Sequence, residues 1–453
     1  MVEWVERTIA GRVVSARRTF GGGSRFTWLV DVERSRDPGD DAGDDDGATE
    51  LLALVLRVES GHGAFAGTAL TLQREAVVYR ALQGRDVRIP TLFGVAPDGG
   101  ALLMARAPGT ADFDRLSAVD AQSALEDFVD VLAILHRIPV ETLSLPGFAI
   151  PTTPEEHALN ELDAWEQMVA QRCPDVDPEI AYALSWLRAN VPIAVARTSL
   201  VQGDTGPGNF VVDGGAVSAV IDWEFAHVGD PVDDIAWFVF RISGKSTTSA
   251  AQIETLLRRY EAGAGFAIDR STLAYYRVFV QLRCAVTTAM TIAHGGGAMG
   301  VSGYRVAHSR FVRQCLQAIA DATGAVVEQP VKPCATGTPR SPFFDEALAE
   351  IDNGLIPALR GEAKLRARSA RTLLAHLRAR DMVGDQLDHA SGDDMHTTFA
   401  GEQNDTARIS AMAASAGNRG DVSVLACLLR RAIRNEWLWS GAFEVSKPLE
   451  GAR

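Results

Sequence analysis

Leu200 to Trp237 reads LVQGDTGPGNFVVDGGAVSAVIDWEFAHVGDPVDDIAW. Three polar side chains organise this stretch: Asp204, Asn209 five positions later, and Asp222. Phe210 to Val212 and Val217 to Ile221 are short apolar runs. Between them, Asp213-Gly214-Gly215 is turn chemistry, so the spacing predicts a hairpin. Such a hairpin carries the chain from Asn209 back to Asp222, beside the segment that holds Asp204.

One reaction class asks for these three side chains together. Phosphoryl transfer needs a carboxylate to accept the proton of the attacking hydroxyl. It also needs an amide and a second carboxylate to hold magnesium ions against the phosphates. Magnesium prefers oxygen ligands and keeps several waters, so two protein ligands suffice. On this reading Asp204 is the catalytic base, and Asn209 and Asp222 are the metal ligands. A Gly-Asp turn and an Asp-Trp strand end also occur in unrelated folds, where Asp only caps turns.

The motifs in order are Gln202-Gly203-Asp204 with Asn209, then Ile221-Asp222-Trp223-Glu224, then Gly229-Asp230-Pro231 with Asp233-Asp234-Ile235-Ala236. Together they resemble the aminoglycoside phosphotransferase family. More narrowly, they resemble the branch found alone in bacteria and fused to acyl-CoA dehydrogenases in animals. The resemblance covers about the first 300 residues. It implies an α+β, protein-kinase-like two-lobed fold, with a small mostly β N-lobe and a larger mostly α C-lobe. It also implies ATP and Mg2+ as cofactors and a small-molecule hydroxyl as acceptor. The expected N-lobe is residues 1–107. The C-lobe, with catalytic loop and acceptor site, is 108–325. A linker spans 326–342, and a helical domain spans 343–453. That last region looks like a helical domain of unknown function appended to bacterial members of this branch.

The resemblance implies further site residues. Gly22, Gly23 and Ser24, in FGGGS before a strand, would cover the phosphates with backbone N–H groups; glycines of this kind also serve hairpin turns. Met104, Ala105 and Ala107, in LLMARAPG, would form the hinge that binds adenine through backbone groups. Arg57 at the end of a strand would pair with Glu75 on the next helix and contact the α/β-phosphates. Plainer roles are an exposed strand-end arginine and a surface helix acid. Kinases usually place lysine where Arg57 stands. This chain has four lysines, Lys245, Lys332, Lys364 and Lys447, and none precedes residue 245. Arginine can grip phosphate in bidentate fashion but is longer and flatter. Gln202 stands where the family usually has histidine. It keeps one donor and one acceptor for neighbouring backbone.

Working outward, Arg25 to Val32 and Leu51 to Val58 read as a hairpin, with the acidic loop Asp37 to Glu50 as its enlarged tip. Ala101 to Ala105 is a further strand. Helical spacing appears over Leu70 to Leu82 and Ser117 to Ile138, with Ser117 as an N-cap candidate. More helices fit Pro154 to Gln171, Pro178 to Asn190, Thr247 to Ala262 and Arg270 to Ala293. His136 reads as a packed, hydrogen-bonded histidine. Asp230 and Asp234 either brace the loop around Asp204 or cap the following helix. Phe343 to Asp381 and Val422 to Leu438 are helical. Ser391 to Gly420 is polar and rich in Gly and Asp, so it reads as irregular.

The chain has 453 residues and a net charge of −14, which argues against a nucleic-acid or anionic-membrane binder. No uncharged apolar run is long enough for a membrane span, and the N-terminus has no signal-type apolar stretch. Five scattered cysteines suit reduced thiols and a cytoplasmic location. The expected function is an ATP-dependent phosphotransferase acting on a hydroxyl of a hydroxyacyl or other metabolite, less readily an aminoglycoside. Its alternative is a catalytically impaired nucleotide-binding scaffold. A homo-oligomer or partner contact through the C-terminal helices completes the expectations.

Overall fold

In α1 (Val2–Ile9) the apolar residues Val5 and Ile9 sit four apart, so they share one helix face, and both are buried. That face covers a five-stranded antiparallel sheet. Its strands are β1 (Gly11–Arg18), β2 (Arg25–Ser35), β3 (Thr49–Glu59), β4 (Leu92–Val95) and β5 (Ala101–Ala105), in the order β1-β2-β3-β5-β4. The computed structural model describes residues 1–19, 25–35, 49–61, 63–173, 175–243, 248–295, 300–399 and 405–441. Gly22, Gly23, Ser24 and most of the acidic loop lie outside these.

Strand alternation sorts the sheet's two faces. Val30 and Val32 of β2 and Leu54 and Leu56 of β3 point to one side and pack with Val5 and Ile9. Arg57, one residue on, must therefore point to the other side. There it meets α2 (Leu72–Leu82), whose Leu72, Ala76, Val78, Tyr79 and Leu82 are buried. The register Leu56↔Leu103 and Arg57↔Leu102 sets β5 beside β3.

After β5 the chain turns largely helical: α3 (Ala118–Arg137), α4 (Glu156–Arg172) and α5 (Pro178–Ala189). The Ser117 hydroxyl accepts from the Asp120 N–H at 3.1 Å, as an N-cap should. Two short ladders follow. β6 (Ser199–Val201) pairs with β9 (His227–Gly229), and β7 (Phe210–Asp213) pairs with β8 (Ala216–Val220). Gly214 and Gly215, joining β7 to β8, have φ of 56° and 79°. A two-residue hairpin turn with both angles positive demands residues of this kind. Phe210 of β7 stacks on Phe128 of α3, ring centroids 4.3 Å apart, and fixes the hairpin against that helix. Then come α6 (Val232–Ser243), α7 (Ala250–Ala264) and α8 (Arg270–Ala293).

The remaining helices are α9 (Gly300–Thr323), α10 (Ser341–Ala349), the single turn α11 (Ile356–Ala358), α12 (Gly361–Thr398), α13 (Thr406–Arg419) and α14 (Val422–Trp439). The chain divides into two compact units. One comprises Met1–Glu161 with Pro192–Arg277, the other Leu162–Val191 with Val278–Arg453. In the second, Ala379, Met382, Val383 and Leu387 of α12 meet Leu438 of α14. Gly417 of α13 lies against α5 so closely that a Cβ there would fall 2.3 Å from the Tyr182 carbonyl oxygen.

Ser391 to Gly420, expected to be irregular, is mostly helix. α12 runs on to Thr398, and α13 occupies Thr406–Arg419. The reason lies in small residues. Ile409, Ala413 and Ala416 recur at helical spacing and are buried, although the stretch as a whole is polar. No described helix is long and apolar enough to cross a membrane.

Candidate active site

The segment after β6 is a tight loop shaped by glycines. Gly203 has φ of 85°, and a Cβ there would lie 2.3 Å from the Phe225 carbonyl oxygen, so only glycine fits. Asp204 follows, its side chain 15% exposed. Asn209 opens β7 and turns its amide back. Asn209 Nδ2 donates to the Asp204 carbonyl at 2.7 Å and to Asp204 Oδ2 at 2.6 Å. With Nδ2 so committed, the Asn209 side-chain oxygen faces the other way and is available to a hard cation.

Asp222 ends the hairpin in the left-handed region, φ 61°, unusual for a residue with a side chain. Gln202 accounts for its persistence. Gln202 Nε2 donates to the carbonyls of Ile221 (3.1 Å) and Asp222 (2.6 Å), while Gln202 Oε1 accepts from the Asp204 N–H at 2.9 Å. One side chain thus ties the Asp204 loop to the Asp222 corner. Arg57 reaches the same corner from β3. Its Nη2 donates to Asp222 Oδ1 at 2.9 Å, and its Nη1 pairs with Glu75. Glu75 is fully buried and also accepts from the Trp223 N–H at 3.3 Å.

Electrostatics follows from this burial. Desolvation raises the Glu75 carboxyl above its usual pKa, and the Arg57 charge opposes the shift. Burial also works against the Arg57 charge. Asp222 and Glu75 outweigh it and hold that guanidinium well above its ordinary value. Desolvation raises Asp204 as well, and the Asp222 charge adds to the effect. The strongest counterweight is Arg241, near the end of α6.

Arg241 is the residue that sequence reading missed. Its Nε donates to Asp204 Oδ1 at 3.0 Å, its Nη2 reaches the same oxygen, and its Nη1 donates to the Pro207 carbonyl at 3.3 Å. Nothing in DDIAWFVFR marks the last residue as anything but a helix-end cation. The two aspartates left undecided separate cleanly. Asp234 accepts from the Gly203 and Gln202 N–H groups, both at 2.8 Å, and so braces the loop. Asp230 accepts from the Val232 N–H at 2.9 Å and caps α6. His136 is wholly buried between Tyr260 Oη (2.7 Å) and Asp234 Oδ2 (3.0 Å).

Met104 and Ala105 lie in β5, with Met104 opposite Val55 and Ala105 opposite Leu54. The Ala105 N–H donates to the Thr91 carbonyl at 2.8 Å, and Ala107 lies past the strand's end. Asp204, Asn209, Asp222, Arg57 and Glu75 thus form one connected network, with Met104 and Ala105 on the strand next to that of Arg57 and Ala107 two residues beyond its end.

The donor set suits magnesium held jointly with phosphate. The oxygens on offer are the Asp222 carboxylate, whose side chain is 34% exposed, and the Asn209 side-chain oxygen, which accepts no hydrogen bond among the described residues. Among the described residues there is no cluster of three or more His, Cys, Asp or Glu side chains able to hold a metal. Magnesium shared with substrate phosphates does not require one.

Comparison with known proteins agrees. The phosphotransferase enzyme family model matches residues 42–275. Mouse acyl-CoA dehydrogenase family member 10 is 25% identical over 195 residues, 41% of this chain and 18% of that protein. Human acyl-CoA dehydrogenase family member 11 is 26% identical over 125 residues, 27% of this chain and 16% of that protein. The matched region is therefore a minor part of those relatives. Among solved structures, a Ralstonia eutropha protein named for the aminoglycoside phosphotransferases superposes with a TM-score of 0.53 at 20% identity, covering 72% of this chain and 97% of that one. Choline kinase from Streptococcus pneumoniae gives 0.50 at 15% identity, covering 71% and 99%. These likenesses establish a kinase-like fold, and with the family match over half its length the chain belongs to the phosphotransferase enzyme family.

Proposed function

We propose that this chain transfers the γ-phosphoryl group of ATP to a hydroxyl of a small molecule. The observation that carries the reading is the hydrogen-bonded linkage of Asp204, Asn209 and, through Gln202, Asp222. In this reading Asp204 receives the hydroxyl proton, and Asn209 and Asp222 hold magnesium. Bound Mg-ATP supplies the phosphoryl group and the cations that neutralise its charge. Arg57, kept in place by Glu75, offers guanidinium N–H groups to the α/β-phosphates. Backbone groups of Met104, Ala105 and Ala107 receive the adenine, and Gly22, Gly23 and Ser24 cover the phosphates. Residues 1–107 and 108–325 would serve as the two kinase lobes, joined through a linker at 326–342 to a helical domain at 343–453. The relatives fused to acyl-CoA dehydrogenases direct attention to hydroxyacyl or other metabolite alcohols in the cytoplasm.

The ion pairs Arg241–Asp204 and Arg57–Asp222 favour one second reading, a nucleotide-binding scaffold with both carboxylates held by arginine. ADP release against a panel of alcohols, for wild type, Asp204→Ala and Asp222→Ala, separates the two. We expect turnover with at least one alcohol in wild type only. General-base removal should lower the rate about a hundredfold or more. Equal rates in all three proteins, or Mg-ATP binding without transfer to any acceptor, overturn the kinase reading.

A further inference from the structure

The second compact unit contains a cavity of about 580 Å³, lined wholly by its own residues. Pockets of that size hold small organic ligands. One part of its wall is apolar: Val169, Ile180, Val286, Val312, Leu387 and Leu438. Another part is cationic, and its charges do not balance.

Most charged groups here have partners. Arg431 pairs with Glu179 at 3.2 Å, Arg380 with Asp388 at 2.7 Å, and His308 with Asp177 at 3.5 Å. Asp394 is different, because it serves two guanidiniums. Arg430 grips it through Nε (3.0 Å) and Nη2 (2.7 Å), and Arg434 Nη1 reaches it at 2.7 Å. One carboxylate thus faces two guanidiniums; Glu328 adds a more distant negative charge on Arg430, whereas Asp394 is the ion-pair partner of Arg434 among the described residues. Arg434 lines the cavity yet is only 8% exposed. Its other contact is Ser391 Oγ at 3.5 Å, so its Nε and Nη2 donate to no group among the described residues. Arg305, also in the lining, is exposed and has no carboxylate partner among the described residues. Its guanidinium carbon lies 6.0 Å from the Trp439 ring centroid. Among the described residues Asp175 is the lining carboxylate with no ion-pair partner, and it is exposed.

A nearly buried cation with unused donors is costly unless something satisfies it. We infer that this cavity binds an amphipathic small molecule, whose apolar body fills the aliphatic wall and whose single anionic terminus meets Arg434. Carboxylate and phosphate ends both match guanidinium geometry. The site is separate from the phosphoryl-transfer residues, none of which lines it.

Calorimetric titration of the full chain without nucleotide tests this, so the outcome does not depend on the kinase reading. The probes are decanoate, decyl phosphate, decanol, decylamine and inorganic phosphate. We expect saturable binding of decanoate or decyl phosphate, whichever end the site prefers. Decanol should bind about tenfold more weakly, the worth of one charge-assisted contact. Decylamine and inorganic phosphate should bind more weakly still. Arg434→Gln should abolish the preference for the anion over decanol, and Asp394 retains Arg430 in that variant. Ala289→Trp, which narrows the cavity from a half-buried lining position, should weaken every decyl ligand. Equal affinity for decanoate, decanol and decylamine overturns the proposal. So does undiminished anion binding in both variants, tight binding of inorganic phosphate alone, or no binding of any probe.

Discussion

Arg241 places two N–H groups on a single oxygen of Asp204, while Asn209 holds the other oxygen at 2.6 Å. The carboxylate is thereby fixed at both ends by groups that hydrogen-bond to its ionised form. Burial opposes ionisation at this position, so Arg241 does more than orient Asp204. It offsets the cost of keeping the buried carboxylate charged, as the proposed base would need to be.

Removing that guanidinium should move the pH dependence in a defined direction. Burial already raises Asp204, and Arg241 is the main influence pulling it down. Without Arg241 the folded pKa rises further, a smaller fraction of Asp204 is ionised at a given pH, and activity is lost at higher pH as acid is added. Arg241→Met should shift the acidic limb of kcat/KM upward, because the main influence lowering Asp204 is gone. Arg241→Lys, which keeps the charge with fewer donors, should shift it less. A uniform loss at every pH, with the limb unmoved, would show Arg241 to be only a packing residue.

The glycines of the same segment should differ sharply in tolerance. Gly203 and Gly214 both have positive φ, 85° and 56°. A Cβ at Gly203 meets the Phe225 carbonyl oxygen at 2.3 Å, whereas nothing lies within 4 Å of one at Gly214. Gly214→Ala therefore carries only the backbone cost, about 1 kcal/mol. Gly203→Ala adds an overlap with main chain that cannot swing aside, and should cost about 3 kcal/mol or more. Denaturant unfolding of the two variants gives the comparison directly, and similar costs would contradict it.

These contrasts mark where sequence reading works. Asp204, Asn209 and Asp222 lie within one short segment, and a Gly-Gly turn between two apolar runs is enough to bring them together. Arg57 and Glu75 follow from strand alternation, because Leu54 and Leu56 claim one face of the sheet and leave Arg57 to the other. Arg241 sits a whole helix away from the loop, and its pairing arises only once α6 has packed. Residues 391–420 carry no obvious apolar stripe, because the buried face of α13 is built largely of the small residues Ala413, Ala416 and Gly417. In α14 the hydrophobic spacing was plain, and that helix is present. Gly22, Gly23 and Ser24 lie outside the described residues.

Asp230 provides a stability readout of pH that is independent of turnover. Burial pushes its pKa up to about 7 from an ordinary 3.8. Its Oδ1 caps α6, and its Oδ2 is buried with no partner among the described residues. Between the two pKa values the folded state keeps a proton that the unfolded state releases. Stability must therefore fall as pH rises from about 4 to about 7. Three pKa units correspond to about 4 kcal/mol at most. Asp230→Asn keeps the capping oxygen and cannot ionise. Relative to wild type, it should gain roughly 2–4 kcal/mol between pH 4 and pH 8 in urea titrations. A difference that stays flat across that range would show that Asp230 is ionised throughout.

Asp234 should tolerate no amide, although Asn is nearly the same shape. Its Oδ1 accepts from the Gly203 N–H, and its Oδ2 accepts from both the Gln202 N–H and His136 Nε2. His136 can donate at Nε2 while its Nδ1 accepts the Tyr260 hydroxyl proton, a chain that satisfies every member. Asparagine would turn an NH2 group toward one of those donors, leaving a buried N–H unpaired and facing another. Each such loss costs about 1–3 kcal/mol, so Asp234→Asn should destabilise the fold by about 2–4 kcal/mol, nearly as much as Asp234→Ala. Tyr260→Phe removes only the proton donated to His136 Nδ1 and should cost about 1–2 kcal/mol. Loosening of the 202–204 backbone should also lower kcat in Asp234→Asn, because Asp204 depends on that loop for its position. Unfolding free energies for the three variants test the order, and an Asp234→Asn protein as stable as wild type would exclude Asp234 as the brace of the loop.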